Sequence, residues 1–292
     1  MIMKNIYVNI LMCCVLYCII SCSGNDDIGA IDQLTPDYEL PQGKSDADNR
    51  IVEYYNQYGS FILYEYTQLD FIYGGASAFE YELPDPQYVG DMLDLLEDIW
   101  FDFYPAEFHQ KYMPYRIFLA KYIQQVMGSS VYPLFTVAGT NCQYVGYCSD
   151  TLQKITPATK LSFKNDIQAK LWNQWILDME LPEDFFNVSD YTTAVDAYTP
   201  ESPNYARTRG FVADYTYGYA NEWSGSLTSY TREQCEEMDA KAFIVGMVYR
   251  TSEEWASDLV YPLVKKKYDI LRNYFFEEYN FDIQKVGDVT YE

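Results

Sequence analysis

Histidine is the side chain most readily recruited for acid–base and metal chemistry near neutral pH, and this 292-residue chain has one, His109. A single imidazole cannot supply H-E-x-x-H, in which two histidines four apart on a helix hold zinc while the glutamate activates water. His109 sits beside Gln110 and Lys111, near Glu107, and reads as a surface residue. Serine-hydrolase chemistry would need that same histidine together with a G-x-S-x-G turn, which does not occur. Gly74-Gly75 lacks the remainder of a phosphate-binding loop. Paired carboxylates serve glycosidases, and Glu236/Glu237 and Glu277/Glu278 are pairs. Neighbours on a helix point to different faces, however, so these read as solvated surface. Residue types alone define no catalytic set.

One cysteine carries a definite chemistry. Met1 to Ser21 holds a single charge, Lys4, followed by an apolar run from Ile6 to Ile20. That is the layout of a secretory signal. Tyr7, Asn9 and Tyr17 dilute the run, which is short for a membrane span. Ile19-Ile20-Ser21-Cys22 resembles a lipobox, where bacterial signal peptidase cuts before a lipid-modified cysteine. The expected division is a signal peptide over 1–21, a lipidated tether over 22–48 rich in Asp, Gly, Pro, Gln and Ser, and one domain over 49–292 with an inner boundary near 155–160. Asp26 and Asp27, soon after Cys22, resemble the surface-export signal of some Gram-negative lipoproteins. The expected location is therefore the outer membrane, facing outward, with the lipid on Cys22 and no other cofactor. Cys13, Cys14 and Cys18 leave with the signal peptide. In an oxidising compartment Cys142 and Cys148, five residues between them, would close a small loop and leave Cys235 odd. Zinc ligation by these three is the alternative, although the CxxC spacing is missing.

A formal charge of −23 sets the chain against nucleic acid and anionic head groups, so adhesion to membrane must come from the lipid. Aromatic residues make up 18% of the chain and 31 of them are Tyr. A tyrosine ring packs while its hydroxyl seeks a partner, which suits either a sugar-binding face or a core with wet edges.

The elements that must position such residues read as strands early and helices late, hence α+β. Ile51 to Tyr55 suggests a helix ended by Gly59, and Phe61 to Tyr66 a strand. Asp85-Pro86 opens a helix with Val89, Met92, Leu93, Leu96, Ile99, Trp100 and Phe103 on one face. Tyr115 to Gln124 and Val131 to Val137 read as strands, and 139–159 as loop. Phe163, Ile167, Leu171, Trp175 and Met179 form a helical stripe stopped by Pro182. Tyr205 to Trp223 is irregular. Thr231 and Gln234 form a capping-box pattern opening a helix toward Tyr249, and Ser252 to Tyr279 supplies further helices.

Several of these segments together resemble a family of lipoprotein zinc metallopeptidases, the substrate-import-associated zinc metallohydrolases. The resemblance is carried by Leu93 to Tyr104, Arg116 to Leu119, Pro182-Glu183-Asp184-Phe185, Gly210-Phe211-Val212-Ala213-Asp214-Tyr215 and Thr251 to Trp255. It implies an N-terminal set of strands and a helix followed by a mainly helical, zincin-like half. It also implies a TonB-dependent nutrient or glycan importer as partner. The family's H-E-x-x-H would fall on the Phe163–Met179 helix, where this chain reads Lys164-Asn165-Asp166-Ile167-Gln168-Ala169-Lys170. Its acidic stretch falls near Met238 to Ala242, where only Asp239 remains. Asp166, Asp239 and waters would suit calcium better than zinc. The fold is expected without the activity, with no metal and no catalytic residue. By the same resemblance a ligand, glycan or glycoprotein, would lie along that helix against Trp172 and Asn173 and against Tyr215, Tyr217, Tyr219 and Trp223. An active hydrolase with a remade carboxylate site and a purely structural importer subunit are the alternatives.

Overall fold

A computed structural model describes residues 38–292; the expected signal peptide, Cys22 and the tether as far as residue 37 lie outside the described residues. Leu40 to Glu292 form one unit, so 40–48, expected as tether, belong to the fold. Gln42 and Asp48 are the reason. Gln42 accepts from the Tyr64 amide at 2.9 Å and donates to the Glu65 carbonyl at 2.6 Å, while Asp48 accepts from the Gly43 amide and the Tyr64 hydroxyl, each at 2.8 Å. No break falls near 155–160 either.

Helix α1 (Asp48–Tyr58) closes on Gly59, whose φ of 73° a side chain would resist. After β1 (Phe61–Leu63) come α2 (Gln68–Phe71), β2 (Glu80–Glu82), α3 (Val89–Ile99) and α4 (Ala106–Tyr112). Asp85 caps the Pro86 turn that leads into α3, and Val89, Met92, Leu93, Leu96 and Ile99 are buried as the periodicity predicts; the helix ends at Ile99, so Trp100 and Phe103, expected on the same face, come after it. Strands β3 (Arg116–Leu119), β4 (Tyr122–Met127), β5 (Ser130–Leu134), β6 (Thr136–Gly139) and β7 (Cys142–Val145) follow. They build two sheets. The first has the order β1-β3-β7-β6, with β1, β3 and β7 parallel and β6 antiparallel to β7; the second, β2-β4-β5, is antiparallel.

Two expectations fail here for physical reasons. Tyr115 to Gln124 is not one strand: it divides between the sheets at Ala120-Lys121, where the Lys121 amide donates to Glu82 O and that of Ala120 to Val145 O. Cys142 to Val145, expected as loop, is a strand buried at every residue. Covered on both faces, it has no polar–apolar alternation to read. This strand also disposes of the disulfide. Cys142 pairs with Arg116 at one end of β3, whereas Cys148 lies past the other end, its amide bonded to Ala120 O. At about 3.3 Å per extended residue, β7 alone spans about 10 Å. A disulfide needs Cα atoms within about 7 Å. Both are free buried thiols, donating to the carbonyls of Gly74 and Tyr88, and Cys235 is a third.

The helical half comprises α5 (Pro157–Trp175), α6 (Glu183–Phe186), α7 (Arg232–Tyr249), α8 (Ser252–Trp255), α9 (Pro262–Tyr279) and α10 (Gln284–Gly287). Both bonds of the Thr231–Gln234 capping box form. Helix α5 packs on α7, α3 and β6, and this places it between the two halves. Its Lys164 is wholly buried and donates at 2.9 Å to Val248 O and to Val286 O, tying together the ends of α7 and α10. Strands and helices segregate along the chain, so the fold class is α+β.

His109 is no surface residue. It is wholly buried on α4, 4.8 Å from the Tyr58 ring, with Nε2 at 2.9 Å from Phe101 O. A carbonyl only accepts, so Nε2 carries the proton; Nδ1 has no partner among the described residues.

Candidate functional site

Helix α5 starts at a Thr156 cap, whose hydroxyl accepts from the Thr159 amide, with Pro157 in the first turn. One face, carrying Phe163, Ile167, Leu171, Trp172 and Trp175, is buried in the core. Met179, expected on the same stripe, comes after the helix ends. The other face, with Ser162, Asn165, Asp166, Ala169 and Lys170, floors an open cleft of about 650 Å³. Its walls are Leu134 and Phe135 from the β5–β6 edge, Tyr147 beyond β7, Thr216 to Gly218 from the long loop and Tyr249 at the end of α7.

Asp166 is half-buried, and loss of solvent around it raises its carboxyl above the ordinary carboxylate range; the Lys170 charge and the Thr136 amide pull it back only in part. Beside it the buried Asn165 Oδ1 has no partner among the described residues. The floor therefore offers the Asp166 carboxyl and the Lys170 ammonium, among rings that can stack. Polar edges between aromatic faces can bind a polyol.

The donor set does not fit zinc. A catalytic zinc takes about three protein ligands, usually with histidine among them. The helix face has one carboxylate, and four residues after it an ammonium that repels a dication. Asp239 does not line the cleft. It is fully buried with Lys267, which donates to its Oδ2, as does the Tyr191 hydroxyl at 2.6 Å. Asp166 and Asp239 thus serve different places and form no calcium site. Among the described residues no three His, Cys, Asp or Glu side chains are grouped to hold a metal ion.

The expected ligand residues divide three ways. Trp172 is on the wrong side of α5: it is wholly buried, donates from Nε1 to the Tyr104 hydroxyl at 2.8 Å, and packs edge-on to Phe275. Trp223 stacks on Phe211 at 4.3 Å in a small core with Tyr191 and Cys235, exposing only an edge to a second pocket that Asn173 also lines. The tyrosines do not share one side. Asp214 and Asn221 pair through both backbone groups at 2.8 Å, and Gly218, at φ 80°, turns the chain back. Tyr215 is therefore folded down against Tyr249 and under the Arg250 guanidinium, while Tyr217 and Tyr219 stand out, 67% and 64% exposed, with rings stacked 6.4 Å apart. Only Tyr217 of the six lines the cleft. Tyr147 and Tyr249 were missed. Neither is marked by its neighbours; each reaches the cleft only through the packing of β7 and α7 around α5.

No family model and no curated protein matches the chain. Among solved structures it is similar to a candidate zinc-binding metallo-peptidase from Bacteroides caccae ATCC 43185, at 12% identity and a TM-score of 0.46, over 82% of this chain and 88% of the other. At that distance no residue role is carried across.

Proposed function

We propose that the chain is a non-catalytic binding protein that holds a neutral glycan, free or on a glycoprotein, in the cleft along α5. In this reading it is carried on the outer membrane by the lipid on Cys22 and is accessory to a TonB-dependent importer. The observation that carries the binding role is the cleft floor. That floor carries Asn165, Asp166 and Lys170, and Tyr147, Tyr217 and Tyr249 line the same cleft. Amide and charged groups beside aromatic side chains can hydrogen-bond sugar hydroxyls while the rings meet the sugar faces. A chain of charge −23 disfavours sulfated or uronic glycans, so the ligand is neutral.

The test is retention on immobilised laminarin, mannan, xylan and dextran. Tyr217→Ala and Asp166→Asn should each weaken binding to the retained polysaccharide by about tenfold, the loss of one buried hot-spot contact, without shifting the melting temperature. If none of the four is retained, the glycan reading fails. One observation favours a second reading: a raised carboxyl in a cleft, Asp166, is also what a general acid needs. Chromatography of the same incubations for shortened sugars decides between binding and hydrolysis.

Membrane attachment is tested separately. One cysteine accepts the lipid and no described helix is long and apolar enough to cross a membrane, so Cys22→Ala should shift the protein out of the membrane fraction and abolish fatty-acid labelling. Labelling that persists in the variant would sink the lipobox assignment.

A further inference from the structure

The loop that walls the cleft also walls something else. Thr216 and Tyr217 line both the cleft and a second pocket of about 310 Å³, whose other lining includes Asn173, Asn221, Glu237, Lys241 and Tyr230. The two cavities are thus neighbours across one narrow ridge, the 214–221 hairpin. That ridge is firmly built. Besides the Asp214–Asn221 pairing, Asp214 Oδ1 accepts from the amide and hydroxyl of Thr216 at 2.9 and 2.7 Å. The Tyr249 hydroxyl donates to Gly218 O at 3.0 Å. On its crest the stacked Tyr217 and Tyr219 rings face solvent. Single exposed aromatics are ordinary; a stacked pair between two polar cavities is a surface on which a ring can stack.

We infer that the site is built for a chain rather than for one sugar: an extended neutral oligosaccharide that lies in the cleft, crosses the Tyr217–Tyr219 crest and continues into the Tyr230 pocket. Each cavity alone is of the size that takes one small ligand, and roughly 300 to 1,000 Å³ is usual. Filling both requires a molecule long enough to pass over the ridge. The chemistry on the far side is of the same kind as in the cleft. Asn173 and Asn221 amides and the Glu237–Lys241 ion pair supply donors and acceptors, and Tyr230, 40% exposed, supplies a ring. Occupying linked compartments with one molecule adds the second contact without a second association cost, so affinity should climb with length until both are filled.

This rests on the glycan reading above, and the experiment separates the two. Titration calorimetry would use the defined laminari-, manno- and xylo-oligosaccharides and isomalto-oligosaccharides, from disaccharide to hexasaccharide. In the series that corresponds to the retained polysaccharide, affinity should rise about tenfold or more from disaccharide to hexasaccharide. Tyr230→Ala, on the far side only, should remove most of that rise and leave disaccharide affinity unchanged. Equal affinity for short and long chains, or a rise that persists in Tyr230→Ala, overturns the two-compartment site while leaving glycan binding standing. Absence of binding at every length, in every series, removes both.

Discussion

Lys267→Ala should cost about 3–5 kcal/mol of folding stability, the usual loss when one member of a buried ion pair is removed. Lys267 and Asp239 are both inaccessible to solvent and in direct contact across α9 and α7. The ammonium lies within 6 Å of the Phe185, Tyr191, Phe211 and Phe243 ring centres. Burial pushes the Asp239 carboxyl up and the Lys267 amine down, and the interaction of each with the other opposes that shift. Deleting the lysine leaves a carboxylate with one hydroxyl partner, Tyr191, and its Oδ1 unpartnered. The carboxyl then protonates rather than stay charged, which fixes a sign. Its folded pKa stands above the unfolded one, so the stabilising protonation is complete below the unfolded pKa and is lost as pH rises through the folded value. The deficit of Lys267→Ala against wild type should therefore shrink on acidification. Urea unfolding at pH 5 and at pH 8 measures it, and a deficit that grows in acid would contradict the account. Asp239→Leu with Lys267→Met should recover most of the loss, because an apolar pair of similar volume avoids the desolvation.

His109 should make the fold acid-sensitive. Burial lowers its pKa from 6.5 to about 4, although the bond to Phe101 O opposes this. In unfolded chain the imidazole takes a proton near 6.5; in the fold it refuses one until about 4. Stability from this group is thus complete above pH 6.5 and drains away as pH falls toward 4, by on the order of 3 kcal/mol. Carboxyls raised by burial act in the opposite direction, so the group is isolated by difference. His109→Phe keeps a ring among Tyr58, Phe101 and Tyr104 but cannot be protonated. It loses the Phe101 hydrogen bond and should be the less stable protein at pH 7. The gap should close, and then reverse, as both are unfolded by urea at successively lower pH. Parallel pH profiles for the two proteins would rule His109 out as the source.

Much of the fold was legible because its signals are local. The Thr231 capping box, the Asp85-Pro86 start and the apolar face of α3 as far as Ile99 need only their own neighbours, and these formed as read. What escaped depends on what lies opposite. Strand β7 has no periodicity because both its faces are covered, and His109 looks like surface until α1 and the Phe101 turn close over it. The site shows the same division. Asp166 stood out as a carboxylate where the resembled family carries its metal ligands, and it does face the cleft. Trp172 and Asn173 are neighbours, yet a step of about 100° around a helix sends one to the core and the other to the rim. Tyr215, Tyr217 and Tyr219 alternate like a strand, but alternation puts rings on one side only in extended chain. The Gly218 reversal removed that condition.

The three thiols have a consequence for the life of the chain before it is folded. Cys142, Cys148 and Cys235 are fully buried, and burial raises all three away from the reactive thiolate, Cys148 to about 12. In the native state they are shielded from solvent and held away from the reactive thiolate form. In the nascent chain they are ordinary thiols, free to pair with one another or with a neighbour. If the chain crosses an oxidising compartment, its yield is set by a race between closure of β7 and α7 and the first sulfur–sulfur bond. Once the race is won, each thiol becomes a clock on its own neighbourhood. It reacts only when that region opens, and Cys142 on β7 and Cys235 on α7 keep time for opposite halves of the protein.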